Sequence, residues 1–334
     1  MNRIQAEDIL VRVSLDSRLQ EGYQGVRLIM REILRGKNVP LHDISRATGI
    51  PVPAVSAARR ELEKRGLLSR RSGAILTEYG VKILTTLGVL DTLRPASSDR
   101  YVISDSVKEL ILEFEKLVAE RPSPDYSLDQ SHVLSDTCFK RVMYFHENDG
   151  LEGRDIAILG DDDLTSLAIA MFSNRFQLEI NSLTVFDIDQ RVLDFIDSKC
   201  KQFGLNINLN QINLIEELPK QHKNMHDIFI TDPPYTVQGL TRFVNVGGEM
   251  IRENTGGIGF VSYPNLRPTD NSVFFENISS MGLSPQELIP GFNEYVGSQI
   301  HASRSNMGRF FVPGGIKDFG KIFSDRIYTK SRNT

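Results

Sequence analysis

The chain has 334 residues, 40% of them hydrophobic and 25% charged, with two cysteines. That length exceeds what one hydrophobic core usually supports, so two domains are expected, and the composition excludes disordered, collagen-like and disulfide-scaffold classes. The formal charge of −4 is unevenly spread: residues 1–90 carry 15 Lys and Arg against 9 Asp and Glu, leaving 24 against 34 for the remainder, so the larger part suits cations better than phosphates.

No apolar run approaches the roughly 18 residues needed to cross a bilayer, and the first ten residues include acids where a signal peptide would be apolar. A cytoplasmic protein without membrane contact is expected. Cys138 and Cys200 stand far apart with no Cys-x-x-Cys or Cys/His cluster, so neither a disulfide nor a metal site is expected.

In chain order, Val26, Leu28, Ile29, Ile33 and Leu34 recur at helical spacing, and a short helix with Leu41, Ile44 and Ala47 ends at Gly49. A second helix runs over Val52–Arg65, with Val55, Ala58 and Leu62 on one face, and stops at Gly66. Leu67 to Leu76, centred on Ser72-Gly73, reads as a two-stranded wing, and Thr77 with Glu78 starts the next helix. The pattern predicts a winged-helix domain over residues 1–92. Arg59, Arg60, Lys64, Arg65, Arg70 and Arg71 would form its phosphate-facing side. The excess charge is modest for a DNA binder, so packing or dimerisation is favoured over nucleic-acid contact.

Residues 93–130 read as a helical linker, with a helix over Val107–Glu120 and then the turn-rich Arg121-Pro122-Ser123-Pro124-Asp125-Tyr126. Beyond it, strand-like runs at 155–159, 182–186, 207–212, 227–231 and 257–262 alternate with helix-like runs at 164–172, 190–203 and 237–252. This predicts a doubly wound, class I methyltransferase-like (Rossmann-type) α/β domain over residues 131–334.

Ligands in such sheets bind beyond the carboxyl ends of the strands. Three acidic segments fall there: Gly160-Asp161-Asp162-Asp163, Asp187-Ile188-Asp189 and Asp232-Pro233-Pro234-Tyr235. Asp187, closing the second strand, is placed to accept both hydroxyl hydrogens of a ribose. The first loop, with one glycine and three carboxylates, repels a pyrophosphate and the carboxylate of S-adenosylmethionine, yet attracts a donor whose tail ends in an amine. At about 4 Å and an effective dielectric near 20, each carboxylate and ammonium pair is worth roughly 4 kcal/mol before desolvation. Where many adenosyl-binding folds carry an acid after the third strand, this chain has Asn213, whose amide can still accept from the adenine amino group.

Asp232-Pro233-Pro234-Tyr235 resembles the [D/N]PPY motif of amino-methyltransferases, in which the acid and the next carbonyl accept hydrogens from an attacking amine. The order GDDDLTSLA, FDID and TDPPYT, with Asp129-Gln130 and Phe292-Asn293-Glu294-Tyr295 adding weaker support, resembles the branched-chain polyamine synthase family, the N4-bis(aminopropyl)spermidine synthases. The resemblance implies aminopropyl transfer from decarboxylated S-adenosylmethionine to an amine of spermidine, releasing 5'-methylthioadenosine, in a homodimer without a tightly bound cofactor. It places catalytic acids at Asp161, Asp162 and Asp163. Asp162 is expected to take the proton, while Asp161, Asp163 and Asp232 share the cation. Gly160, Asp187, Ile188, Asn213 and Gln130 are expected around the donor. Asp129, Tyr126, Pro233, Tyr235 and Glu294 are expected around the acceptor, the tyrosines through cation-π contact. Two competing readings are an amino-methyltransferase on nucleic acid and a ligand-sensing winged-helix regulator.

Overall fold

A computed structural model describes residues 1–36, 38–69, 74–90, 103, 105–203, 206–253, 255–296, 304–316 and 327–329. The chain divides into two units, Met1–Thr92 and Leu93–Thr334. The first holds α1 (Arg3–Ser17), α2 (Gly22–Gly36), α3 (Leu41–Thr48), α4 (Val52–Lys64) and α5 (Glu78–Thr86). Asn2 and Gln5 form a reciprocal capping box that starts α1, and Gly49, at φ 73°, ends α3 where a β-carbon would be strained. Antiparallel bridges join Val39 to Ala74 and Leu68 to Leu76. Arg70, Arg71, Ser72 and Gly73 lie outside the described residues. The apolar faces of these helices bury Leu10, Val26, Ile29, Ile44, Val55, Leu62 and Ile83 in one core.

On α4 the basic side chains are largely matched within their own unit. Arg59 meets Glu63 at 2.7 Å, Lys64 meets Glu61 at 2.6 Å, and Arg65 meets both Glu61 and Asp16. Arg60 is exposed.

The second unit begins with α6 (Asp105–Val118) and α7 (Ser135–Glu147), separated by a 3-10 turn at Tyr126–Leu128. It continues through β1 (Asp155–Leu159), α8 (Thr165–Phe176), β2 (Ser182–Asp187), α9 (Gln190–Phe203), β3 (Ile207–Gln211), β4 (Ile228–Thr231), α10 (Val237–Met250), β5 (Gly257–Tyr263), α11 (Pro268–Ser280), β6 (Ser284–Glu294) and β7 (Arg304–Val312). The sheet order is β3-β2-β1-β4-β5-β7-β6. The first five strands pair in parallel, whereas β7 runs antiparallel to both β5 and β6.

The fold is therefore α/β with a mixed sheet: the five strands read from the sequence pair in parallel, and the antiparallel β6–β7 edge adds two strands that the sequence reading did not include. The segment read as a linker also needs correction. Val107, Leu110, Phe114 and Leu117 of α6 are buried in the core of the sheet, so this helix belongs to the second unit. Of the remaining linker, residues 93–102 and 104 lie outside the described residues.

Strand alternation divides the second unit's core between two faces. Ile156, Ile158, Ile228 and Ile230 pack with α6, α7 and α8, while Ala157, Leu159 and Phe229 pack on the other side with Leu240 and Val244 of α10. Gly247 and Gly259 flank the Phe229 ring so closely that an added β-carbon would stand 2.5 and 2.4 Å from it, which lets α10 lie tight against β4 and β5. Among the described residues, no helix is long and apolar enough to cross a membrane.

Candidate active site

The strand β1 is followed by Gly160, whose φ of 74° turns the chain out of the sheet, and the next three residues are aspartates with different partners. Asp161 turns back onto α8, where its carboxylate accepts the Ser166 N–H at 3.2 Å and so satisfies a donor of the first helical turn. Asp162 accepts the Ser131 N–H at 3.0 Å. Asp163 accepts the Val133 N–H and an Arg141 N–H, both at 2.7 Å. At the end of β2, Asp187 accepts the backbone N–H groups of Asp161 and Asp189, each at 2.8 Å, which ties the first two strand ends together.

A pocket opens over these strand ends. It is lined by Leu128, Asp129, Gln130, Gly160, Asp162, Asp187, Ile188, Ile212, Leu214, Asp232, Pro234, Phe243 and Tyr328. Four of those thirteen side chains are aspartates and none is lysine or arginine. Ile188, Ile212, Leu214 and Phe243 supply an apolar slot beside them. Gln130 is held in place from both ends: its amide donates to Asp189 at 3.1 Å and accepts the Asp125 N–H at 2.6 Å. Along one rim, Asp129 accepts the Thr329 N–H at 2.7 Å, and Thr236 donates to the Ile327 carbonyl at 2.6 Å. These two bonds hold residues 327–329 beside the pocket, with Tyr328 in its lining.

Burial dominates the acid–base chemistry. It pushes Asp162 well above the ordinary carboxylate range, and Asp163, Asp187 and Asp232 add repulsion, opposed by the Ser131 N–H. Asp161 is likewise driven well up by burial, against its bond from Ser166. Burial raises Asp187 against the N–H groups it accepts. Asp232 is raised by burial too, and the Arg141 guanidinium pulls the other way.

Behind the pocket wall lies a polar cluster. Asp232 receives Arg141 at 2.6 Å, Tyr295 Oη at 2.7 Å and Tyr235 Oη at 3.0 Å, and the two tyrosine hydroxyls touch each other. Burial and then the Asp232 charge raise both phenols well above their ordinary value, so they act as hydrogen-bond donors at neutral pH.

The family model described as the branched-chain polyamine synthase A C-terminal domain matches residues 109–330. The chain belongs to this family. An uncharacterized protein of Methanocaldococcus jannaschii is 31% identical over 328 residues, 96% of this chain and 81% of its own. An N(4)-bis(aminopropyl)spermidine synthase of Thermococcus kodakarensis is 29% identical over 257 residues, 74% of this chain and 71% of its own. The crystal structure of the branched-chain polyamine synthase of Thermus thermophilus, in complex with N4-aminopropylspermidine and 5'-methylthioadenosine, aligns over 93% of this chain and 95% of that one. The TM-score is 0.57 at 22% identity, which supports the shared fold.

In this branched-chain polyamine synthase family member, the pocket brings together Gly160, Asp162, Asp187, Ile188, Asp129, Gln130 and Asp232 of the residues expected from sequence. Asp161 and Asp163 are not in its lining: one caps α8 and the other is bonded to Arg141. Asn213 is not in the lining; its carbonyl accepts the Ile215 N–H at 3.2 Å and its amide donates to Glu216 at 2.9 Å. Pro233 is buried and Pro234 lines the pocket in its place. Tyr235 points into the Asp232 cluster, and Tyr126 is exposed on the 3-10 turn. Glu294 pairs with Arg304 at 2.8 Å outside the pocket.

Sequence reasoning missed Arg141, Asn293, Tyr295 and the apolar slot. For Asn293 and Tyr295 the alternation that sets them opposite Glu294 becomes usable only once β6 is known to be a strand, which its irregular sequence does not mark. Arg141 lies on the same face of α7 as Cys138, Val142 and Phe145, but an arginine read without its fold looks like a surface residue.

Proposed function

We propose that the chain is an aminopropyltransferase of branched polyamine synthesis, moving aminopropyl groups from decarboxylated S-adenosylmethionine to an amine nitrogen of spermidine. The observation that carries this reading is a pocket whose described lining holds four aspartates and no basic side chain, set at the ends of β1, β2 and β4. Among the described residues, a donor with a free carboxylate meets no cation in that lining, whereas an aminopropyl tail and a polyamine meet favourable charge. The names of the Thermococcus kodakarensis relative and of the ligands bound to the Thermus thermophilus enzyme support the same reaction.

In this reading the adenosine lies in the slot of Ile188, Ile212, Leu214 and Phe243. Its ribose hydroxyls meet the lone pairs of Asp187 left free by the backbone bonds. The acceptor nitrogen attacks the propyl carbon attached to the sulfonium; a C–N bond forms, the C–S bond breaks, and its electron pair stays on sulfur as 5'-methylthioadenosine. The proton leaves the nitrogen for Asp162, whose proton affinity is raised by burial. Asp232 accepts one acceptor N–H on Oδ1, as Oδ2 already takes Arg141 and Tyr295. Holding the two reactants in line supplies much of the rate. Asp129 and Gln130 complete the acceptor and donor ends.

The first unit is read as a winged-helix domain that serves packing or a homodimer in the cytoplasm. The internal ion pairs of Arg59, Lys64 and Arg65 support packing over phosphate contact. The test is a binding titration with both donors. Decarboxylated S-adenosylmethionine should bind at least about tenfold more tightly than S-adenosylmethionine, the minimum for losing one charged contact. Preference for the carboxylated donor would overturn the reading in favour of methyl transfer.

A further inference from the structure

We propose that Arg141 is a positioning residue that neutralises Asp163 and Asp232 together and so fixes the Asp-Pro-Pro-Tyr carboxylate as an oriented hydrogen-bond acceptor, leaving the cation to the pocket's other aspartates. This rests on the aminopropyl-transfer reading. Arg141 is 2% exposed, and it spends its fork on four partners from three places in the chain. Nε donates to Asn293 Oδ1 at 2.7 Å, one terminal nitrogen to Asp163 Oδ2 at 2.7 Å, and the other to Asp232 Oδ2 at 2.6 Å and Tyr295 Oη at 3.3 Å. Asn293 is itself anchored by Ser262 at 3.1 Å, Ser305 at 2.9 Å and the Asn306 carbonyl at 3.2 Å. The guanidinium is therefore locked by β5, β6 and β7 before it meets the carboxylates.

Two features make this more than a structural ion pair. First, Asp232 lines the pocket while Arg141 does not, so the guanidinium acts on the substrate only through the orientation and charge of Asp232. Second, Asp232 Oδ2 takes Arg141 and Tyr295, and Oδ1 takes Tyr235, which leaves one direction of the carboxylate open to the pocket. A planar fork can span Asn293, Asp163, Asp232 and Tyr295 at once; an ammonium is a point charge with three donors and cannot. The charged and titratable groups facing Asp232 are Arg141, Asp163, Asp162, Tyr235 and Tyr295. Arg141 touches it directly and Asp163 does not, so loss of the pair leaves the proton held more tightly.

The experiment uses the full chain with Arg141→Gln, Arg141→Lys and the doubly substituted Arg141→Gln/Asp163→Asn. The last removes one charge of each sign and so remains foldable if the single change is not. Carboxyl 13C resonances are titrated, with Asp232→Asn identifying the signal. Turnover with decarboxylated S-adenosylmethionine and spermidine is followed across pH.

In each folded glutamine variant Asp232 should hold its proton to higher pH than in the parent, since the guanidinium that favoured its ionised form is gone. The acid limb of kcat should move up in step. At the plateau kcat should fall on the order of 100-fold, the cost of a misplaced reacting group, with the donor KM within about threefold. Arg141→Lys should recover the titration but little of the rate. An Asp232 resonance that titrates as in the parent, or a kcat within about threefold of it with an unmoved profile, would overturn the proposal. If the parent makes no aminopropyl product, the reaction reading fails, and the resonance titration still decides the role of Arg141.

Discussion

Asp163 and Asp232 on one side, and Asp162 and Asp187 on the other, are aspartates from the ends of three neighbouring strands, yet they are held in two ways. The first pair share Arg141 and, through Asp232, two tyrosine hydroxyls. The hydrogen bonds accepted by the second pair come from backbone N–H groups, and both face the pocket. Composition alone therefore does not assign chemistry to an acidic motif. A carboxylate whose lone pairs already take a guanidinium is an oriented acceptor, and one held only by amides can exchange a proton with a ligand.

The largest effect separating the two pairs is expected at Asp162. Its change to Asn should lower kcat by about 100- to 10,000-fold and leave an acid limb set by Asp232 alone, measured by steady-state turnover across pH. Equal loss in Asp163→Asn, with its fold intact, would erase the distinction. For Asp163→Asn the cost should fall instead on stability, by about 3 kcal/mol in denaturant unfolding, because Arg141 loses a buried partner; spermidine KM should stay within about twofold. Asp187→Asn should raise the donor KM about tenfold, for the loss of charge-assisted bonds to the ribose, and leave the acceptor KM unchanged.

The smallest effect is a slope of stability with pH. Burial holds Asp162 and Asp187 above the unfolded carboxylate range, so the folded chain keeps protons that the unfolded chain has released. The stabilisation is complete below the unfolded value of about 4 and is lost as pH rises through the raised folded values. Asp162→Asn should therefore melt higher than the parent at pH 8, and the gap should close towards pH 4. A constant gap across pH would show that Asp162 titrates normally.

The parallel half of the sheet was legible because its inner strands are short apolar runs closed by a turn residue and β3 alternates apolar with polar residues: β1 was read residue for residue, and α9 likewise. The antiparallel edge was not. β6 mixes Ser284, Pro285, Gln286, Pro290 and Gly291 with register shifts at Pro285/Glu287 and Ile289/Asn293, so no clean alternation marks it. That edge carries Asn293 and Tyr295, and their partner Arg141 sits on a helix that the apolar pattern did not reveal. The pocket face of the site was written in contiguous motifs, whereas its supporting cluster joins residues more than 150 positions apart in sequence, which only the folded chain brings together.

The most direct test is to incubate the purified chain with decarboxylated S-adenosylmethionine and a panel of putrescine, spermidine, spermine and norspermidine, and to follow the products by mass spectrometry. The expected products are 5'-methylthioadenosine together with spermidine heavier by one and two aminopropyl groups. No such product, with methyl transfer from S-adenosylmethionine to a nucleic acid or another amine instead, would contradict aminopropyl transfer.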